Sequence, residues 1–189
     1  VMTSDQHERA TERVAEALLT IEKQSNMKYN SVVMIQGDEP LVFPEMISEV
    51  INPLKNANNL VSNLISRLTT KKERDNSNNV KVVFAKNKNI LYLTRAPIPS
   101  DKLYNKNIDS FRQLGLIAFR SSALKKFIFL EPTKLEIIES VDMNRFLENG
   151  INIFSVITKF KVDSVDTRDD LARVIKKMKT DKLLQNYSK

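Results

Sequence analysis

The hydrophobic residues of this chain follow two periods, one typical of amphipathic helices and one typical of buried strands. Apolar side chains in residues 11–24 recur at the spacing of one helix face, which predicts an amphipathic helix. Residues 31–36 carry an almost unbroken apolar run, as expected of a strand buried on both faces of an α/β sheet. Pro44 starts a predicted helix that extends to about residue 54. Strand, turn and helix in this order are the unit of a parallel sheet.

Later segments predict an antiparallel piece within this pattern. Residues 80–84 and 90–94 flank a polar tetrapeptide and predict a hairpin, which a loop or arm over residues 95–111 follows. The polar stretch 69–79 predicts an exposed loop. The other predicted strands are 60–68, 113–119, 151–158 and the end of a strand at 1–3, and the other predicted helices are 121–130, 134–149 and one that begins after Thr167.

These elements predict an α/β fold with a Rossmann-like, mostly parallel sheet that is flanked by helices and carries an antiparallel hairpin and arm insertion. At 189 residues the chain has the length of one ordinary domain. We therefore expect residues 1–189 to form a single domain, with residues 80–111 as the hairpin and arm inserted in it.

Two predicted helices have clear start signals. Thr133 and Glu136 stand at the two positions of a capping box, and Gly150 follows as a C-terminal stop. Thr167 is a predicted N-cap, followed by acidic residues that suit the positive end of a helix dipole.

Composition excludes several classes of protein. No apolar stretch approaches the roughly 20 residues of a membrane-spanning helix, so an integral membrane protein is not expected. The chain has no cysteine, which excludes disulfides and thiolate metal sites and fits a reducing compartment. Because no basic and then apolar signal region opens the sequence, we expect a cytoplasmic protein without a membrane partner.

The net charge of +7 favours anionic partners, which include nucleic acid, nucleotides and acidic sugars. A solvated helix face is a commoner origin of a run of basic residues than a nucleic-acid surface. Since no basic stretch is interleaved with aromatic residues, we expect no nucleic-acid partner. Much of the excess lies in or beyond the last predicted helix, at Arg173, Lys176, Lys177, Lys179, Lys182 and Lys189.

Residues 36–40, which read Gln-Gly-Asp-Glu-Pro directly after the apolar run, are the leading candidate for chemistry. Gly37 permits a tight turn with close backbone approach, and Pro40 ends the strand because it has no N–H. Asp38 and Glu39 bring negative charge to this turn. Ligands of open α/β sheets bind at the carboxyl ends of strands, so a carboxylate here is placed to hold magnesium beside nucleotide phosphates. An ordinary strand-to-turn junction would also explain Gly-Asp.

Six short motifs extend this picture along nearly the whole chain. They are 11–16 (Thr-Glu-Arg-Val-Ala-Glu), 33–40 (ending in Gln-Gly-Asp-Glu-Pro), 80–83 (Val-Lys-Val-Val), 91–99 (with Thr-Arg-Ala-Pro-Ile-Pro), the Glu, Arg and Glu-Asn-Gly positions within 135–150, and 165–171 (with Val-Asp-Thr). In this order and spacing they resemble the sugar-acid cytidylyltransferases, most of all the members that activate 3-deoxy-manno-octulosonate (KDO).

The resemblance implies a fold of the nucleotide-diphospho-sugar transferase type and a specific reaction. The anomeric hydroxyl of a 2-keto-3-deoxy sugar acid, KDO or a close analogue, would attack the α-phosphorus of CTP and release pyrophosphate. The product would serve bacterial surface polysaccharide synthesis, such as that of lipopolysaccharide. Such transfers depend on positioning and on neutralisation of developing charge. The resemblance implies Mg²⁺ as cofactor, with Asp38 and Asp166 as its ligands and as the catalytic residues.

The same resemblance assigns six further side chains. Thr11, Arg13 and Gln36 would face the nucleotide or the acceptor, while Arg95, Gln113 and Glu136 would contact the sugar acid. Other readings of the sequence remain open for several of these positions. Asp166 is also explained as a polar residue before a cap, Arg13 as a helix-surface ion pair, Arg95 as a solvated loop residue and Glu136 as a helix cap.

Some features of the family have no counterpart in the sequence. None of the three glycines, Gly37, Gly115 and Gly150, lies in a basic phosphate-binding loop, so we expect the N-terminal phosphate-binding segment to be missing. Gln113 and Ile117 replace a histidine and a tyrosine of the family, which favours a different sugar acid or lost function. The alternative is a non-catalytic or truncated member that binds nucleotide or a partner chain. Because family members tend to be dimers, a homodimer is a further expectation.

Overall fold

A computed structural model describes residues 1–100, 108–181 and 184 of the chain. Part of the predicted arm at 95–111 and the basic residues Lys182 and Lys189 therefore lie outside the described residues. The elements are α1 (Ala10–Ser25), β1 (Ser31–Ile35), α2 (Pro44–Ile51) with a 3₁₀ turn (Asn52–Lys55), β2 (Val61–Leu68), α3 (Lys71–Asp75), β3 (Lys81–Phe84), β4 (Ile90–Thr94), β5 (Ser110–Arg120), α4 (Ser121–Phe127), α5 (Lys134–Glu139), α6 (Met143–Glu148), β6 (Ile153–Ile157) and α7 (Arg168–Met178).

One six-stranded sheet organises these elements around β5. Strand β2 pairs along β5 on one side, while β1 and β3 pair with different parts of its other side. Strand β4 extends the sheet beyond β3, and β6 extends it beyond β2. The predicted α/β class, a central sheet with helices packed on it, is confirmed.

The direction of the strands differs from the prediction. Among the described pairs only β2 with β6 is parallel, and the other four are antiparallel, so the predicted mostly parallel sheet is wrong for this part of the chain. The physical reason is that β5 runs opposite to all three of its neighbours. An apolar run indicates that a strand is buried, but it carries no information about the direction of the neighbouring strands.

The side chains of β5 build a core on each face of the sheet, because successive residues of a strand point to opposite faces. Ile117 and Phe119 belong to the cluster that α1, α4 and α6 cover. Leu116 and Ala118 belong to a second cluster that α2 covers. Both faces of this central strand are thus removed from water.

Local signals predicted most elements well. The helix at the N-terminal side, the strand at 31–36, the hairpin, the strand at 60–68 and the last helix all occur. Thr167 caps α7 by accepting the Asp170 N–H at 3.2 Å. No helix in the described part of the chain combines the length and the apolar character needed to cross a membrane.

Four local predictions are wrong. The loop at 69–79 contains α3, which Thr70 and Glu73 start as a capping box, and residues 1–3 form no strand. Strand β1 is buried at Met34 but not along its length. The helix predicted over 134–149 is two short helices, because Ser140 adopts a left-handed conformation with φ 51°. That turn directs Asp142, at the start of α6, towards α1.

Glu22, near the end of α1, joins this helix to α4. Its carboxylate accepts hydrogen bonds from Lys125 Nζ at 2.7 Å and from Lys28 Nζ at 3.0 Å. These hydrogen bonds, that of Lys125 first, lower the pKa of Glu22 to about 2. The carboxylate is therefore charged in the folded protein at any pH above that value.

We predict that Glu22→Gln destabilises the protein near pH 7 and that the difference disappears in acid. Because the folded-state pKa of about 2 lies below the reference value of 4.5, the stabilisation is present above about pH 4.5 and is lost as the pH falls towards 2. Urea unfolding of both proteins between pH 7 and pH 2 measures the effect. Glu131→Gln changes an exposed carboxylate and should match the parent; a Glu22→Gln effect independent of pH would contradict this account.

Candidate active site

The turn at residues 36–40 is attached to the middle of β5 by main-chain contacts. Gln36 donates its N–H to the Gly115 carbonyl at 2.9 Å, and Glu39 donates its N–H to the Gln36 carbonyl at 3.1 Å. The Glu39 Oε1 atom accepts the Gly115 N–H at 2.9 Å. The residues on both sides of Asp38 are therefore held by the same residue of β5.

Gly115 makes this close approach possible. A Cβ atom at this position would lie 2.7 Å from Gln36 Oε1 and 2.8 Å from Gln36 Cβ, which is too close for any side chain. A Cβ at Gly37 would meet nothing within 4 Å. The close backbone approach that the sequence predicted at Gly37 thus occurs at Gly115.

Asp38 and Asp166 come together at the carboxyl end of β1. Val165 donates its N–H to the Asp38 carbonyl at 2.8 Å, which brings the neighbouring Asp166 to the turn. Burial raises the pKa of the Asp166 carboxyl first, and the negative charges of Asp38 and Asp170 raise it further. The positive charges of Arg112 and Arg95 act in the opposite direction.

The Asp38 side chain suits a cation. Its Oδ1 atom is buried and has no hydrogen-bond partner among the described residues, although buried polar atoms normally have one. No group of three or more acidic, histidine or cysteine side chains that could hold a metal occurs in the described ranges. Magnesium needs only one or two protein carboxylates, because phosphates and water complete its octahedron. An unpartnered carboxylate oxygen beside a second carboxylate fits this ion.

A cleft of about 630 Å³ opens beside Asp166, between the ends of β2 and β6 and the start of α7. Arg112 contributes to its wall and is fixed by three hydrogen bonds, to Ser66 Oγ at 3.2 Å, Asn79 Oδ1 at 3.2 Å and the Val162 carbonyl at 2.6 Å. The guanidinium is therefore a rigid positive charge near the two aspartates.

Gln113 lies on β5 two residues before Gly115. Its Nε2 donates to Asn63 Oδ1 at 2.6 Å, and the Asn63 amide nitrogen donates to the carbonyls of Leu114 and Leu116 at 3.0 and 3.2 Å. The register of β2 on β5 shifts at this point. Gln113 is thus near the turn, but its amide nitrogen is bound within the sheet.

Thr11 and Arg13 bind protein groups away from the aspartate pair. Thr11 is fully buried, and its hydroxyl donates to Asp142 Oδ2 at 2.6 Å. Burial raises the pKa of Asp142, and the hydrogen bond from Thr11 lowers it by a smaller amount. Arg13 is exposed and donates to Thr3 Oγ1 at 2.9 Å and the Ser4 carbonyl at 2.8 Å. Both side chains hold neighbouring segments together here.

Glu136 lies at the centre of a buried ion-pair cluster. It has no exposed surface, and Arg145 donates to both of its carboxylate oxygens at 2.6 Å. Arg9 Nε donates to it at 3.1 Å, and the Thr133 N–H at 3.2 Å. The predicted capping role of Glu136 is confirmed, and its carboxylate is already satisfied by protein groups.

Arg95 joins the hairpin to the end of α5. Its side-chain Nε donates to the Glu139 carbonyl at 2.7 Å, and its main-chain N–H donates to Glu139 Oε2 at 2.7 Å. The Glu139 carboxylate also accepts from Tyr92 and Thr94, at 2.9 and 2.7 Å. Arg95 is therefore partly buried and fixed, not a solvated loop residue, although its charge still acts on Asp166.

The structure thus brings together Gln36, Asp38 and Asp166, with Gln113 and the charge of Arg95 nearby. The polar atoms of Thr11, Arg13 and Glu136 bind other protein groups. Sequence reasoning missed the contact between Glu39 and Gly115. A glycine inside a strand pattern is a signal for close backbone approach, but it does not identify the segment that approaches.

Comparison with known proteins identifies the family. A family model described as cytidylyltransferase matches residues 1–153. The chain belongs to the cytidylyltransferase family. The 3-deoxy-manno-octulosonate cytidylyltransferase of Thermodesulfovibrio yellowstonii is 38% identical over 178 residues, covering 90% of this chain and 70% of that protein. The protein of the same name from Chloroherpeton thalassium is 41% identical over 181 residues, with 92% and 70% covered.

A solved structure has a similar fold. It is described as CMP:2-keto-3-deoxy-manno-octonic acid synthetase complexed with CTP, and it matches with a TM-score of 0.83 and 26% identity over 94% of this chain and 71% of that chain. These matches confirm the resemblance to sugar-acid cytidylyltransferases that the sequence motifs predicted. The roles of its individual site residues stay predictions.

We predict that Glu136→Ala lowers the free energy of unfolding by about 3–5 kcal/mol, because it leaves Arg145 as a buried charge without its closest partner. Chemical denaturation measures this change. Glu131→Ala, at an exposed position, should change stability by no more than about 0.5 kcal/mol. If Glu136→Ala were as stable as the parent but weakened binding of the sugar acid, the predicted role of Glu136 in substrate binding would hold and the structural role would not.

Proposed function

We propose that this chain transfers CMP from CTP to KDO or a closely related 2-keto-3-deoxy sugar acid, with release of pyrophosphate. The observation that carries the proposal is the pair of aspartates at the carboxyl end of β1, one of which has a buried oxygen without a hydrogen-bond partner in the described ranges. The names of the relatives at 38% and 41% identity, and the CTP in the structure at TM-score 0.83, support the choice of both substrates.

Asp38 and Asp166 are the residues that would hold Mg²⁺, and the bound ion would neutralise charge that develops on the phosphates. The chain itself supplies position and charge. The turn at 36–40 is fixed on β5 by the Gly115 contacts, so Asp38 needs little rearrangement on binding. Arg112, fixed by its three hydrogen bonds, adds a preorganised positive charge, which stabilises anionic groups without the cost of reorientation.

We assign nucleotide contacts to Gln36 and acceptor contacts to Gln113 and Arg95, because these side chains lie near the aspartate pair. Thr11, Arg13 and Glu136 contribute by packing and positioning, since their polar atoms bind other parts of the protein. We further propose that the activated sugar serves bacterial surface polysaccharide synthesis, that the protein works in the cytoplasm and that it forms a homodimer. The bacterial relatives of the same family support the first of these proposals.

We predict that Asp38→Asn and Asp166→Asn each reduce magnesium-dependent release of pyrophosphate from CTP and KDO by about 100-fold or more, because each removes a charged oxygen ligand that the hard cation prefers. Asp169→Asn is the matched control, because it removes an exposed carboxylate three residues from Asp166. It should retain nearly full activity. The assay measures pyrophosphate with and without magnesium, with KDO and related sugar acids as acceptors.

The outcomes separate the proposed function from its alternative. Full activity of Asp38→Asn would contradict the metal role of that residue. Binding of CTP in calorimetry without turnover of any sugar acid would instead indicate a non-catalytic member that binds nucleotide. Loss of activity in Asp169→Asn as well would show that carboxylates near the start of α7 act through stability and not through the metal.

A further inference from the structure

We propose that Glu39 is a positioning residue for this reaction, which acts by holding Asp38 against β5 through the Gly115 N–H. The proposal rests on the proposed function, since it concerns how the chain presents the carboxylate that would hold the metal. Asp38 is the candidate ligand, and Glu39 is the neighbour that fixes it.

The burial of Glu39 is unusual for a carboxylate in a turn. The residue is only 6% exposed, whereas glutamates are almost never fully buried unless they are paired. Its Oε1 accepts the Gly115 N–H at 2.9 Å, and its Oε2 has no hydrogen-bond partner among the described residues. No basic side chain forms an ion pair with it in the described part of the chain. The Gly115 N–H is thus its main hydrogen-bond donor, with a smaller contribution from the Ser164 side chain and a nearby positive charge on Arg112.

The Gly115 contact closes a small ring around Asp38. Gln36 donates to the Gly115 carbonyl, and Glu39 accepts the Gly115 N–H. Gly37 and Asp38 lie between these two anchors. Val165, the residue before Asp166, donates its N–H to the Asp38 carbonyl. The separation of the two aspartates thus depends on both the Val165 hydrogen bond and the Glu39 side chain.

The sheet is irregular where Glu39 binds. The register of β2 on β5 shifts between Asn63 and Ile65, and bulges of this kind often lie next to active sites. The Asn63 amide nitrogen compensates by donating to the carbonyls of Leu114 and Leu116, on either side of Gly115. Asn63 therefore supports the segment of β5 to which Glu39 is bound, and Gln113 is attached to the same Asn63 side chain.

The test compares Glu39→Gln with Glu39→Ala. Glutamine keeps an oxygen that can accept the Gly115 N–H but lacks the negative charge, whereas alanine lacks both. Binding of Mn²⁺, a spectroscopic substitute for Mg²⁺, is measured by electron paramagnetic resonance with CTP present. Thermal unfolding without metal is measured in parallel. Because Mn²⁺ binding does not require turnover, the test does not depend on activity or on the identity of the sugar acid.

We expect Glu39→Gln to bind Mn²⁺ within about threefold of the parent and Glu39→Ala to bind it about 10- to 100-fold more weakly, the range typical for loss of a residue that orients a metal ligand. Glu49→Ala is the matched control, because Glu49 lies on α2 and also has a buried carboxylate oxygen without a partner in the part of the chain that the structure describes. It should retain the affinity of the parent.

Gly115→Ala provides a second variant that leaves Glu39 unchanged. Its Cβ would displace Gln36 and Glu39, with contacts of 2.7–3.0 Å, and it should weaken Mn²⁺ binding as Glu39→Ala does.

Several results would overturn the proposal. Equal loss of Mn²⁺ binding in Glu39→Gln and Glu39→Ala would identify Glu39 as a direct metal ligand. Lower thermal stability with unchanged Mn²⁺ affinity in Glu39→Ala would reduce its role to folding alone. If Asp38→Asn bound Mn²⁺ as tightly as the parent, the metal role in the proposed function would fail, which is distinguishable from a failure confined to Glu39.

Discussion

The contact between the 36–40 turn and Gly115 is the constraint on which the candidate site depends. Gln36 donates its N–H to the carbonyl of Gly115 in β5, and the Glu39 side chain accepts the N–H of the same residue. A side chain at position 115 would collide with both Gln36 and Glu39. The position of Asp38 is therefore set by backbone contact with the central strand of the sheet. Because β5 is packed on both faces, these hydrogen bonds attach the turn to a well-packed part of the protein.

The acidic residues divide into two groups according to whether their charge is compensated. Glu136 is fully buried, but Arg145 and Arg9 surround its carboxylate with donors. The negative charge of Asp38 instead raises the pKa of Asp166, and Asp38 has a buried oxygen without a hydrogen-bond partner among the described residues. A buried carboxylate that protein donors surround is a structural element, whereas the proposed magnesium role of Asp38 and Asp166 draws on an oxygen that lacks such a donor among the described residues. This difference separates residues that the family resemblance alone treats alike.

Predictions from the sequence succeeded where the determining interactions are local. Thr167 caps α7 through an N–H three residues away, and the polar tetrapeptide within 80–94 forms the predicted hairpin. The sequence failed at Ser140, where one left-handed residue divides a predicted helix, and at the capping box of α3. In the first case a tertiary hydrogen bond between Asp142 and Thr11 favours the break; in the second a local signal was overlooked.

By itself the sequence determined the family, most of the strands and helices, and the candidate metal carboxylates Asp38 and Asp166, because motif order and short-range periodicity carry that information. Only the tertiary structure decided the antiparallel direction of β5 and the pairing of Glu39 with Gly115. It also showed that the polar atoms of Thr11, Arg13 and Glu136 bind other parts of the protein. The physical reason is that these features arise from hydrogen bonds between residues as far as 131 positions apart, which leave no periodic trace along the chain.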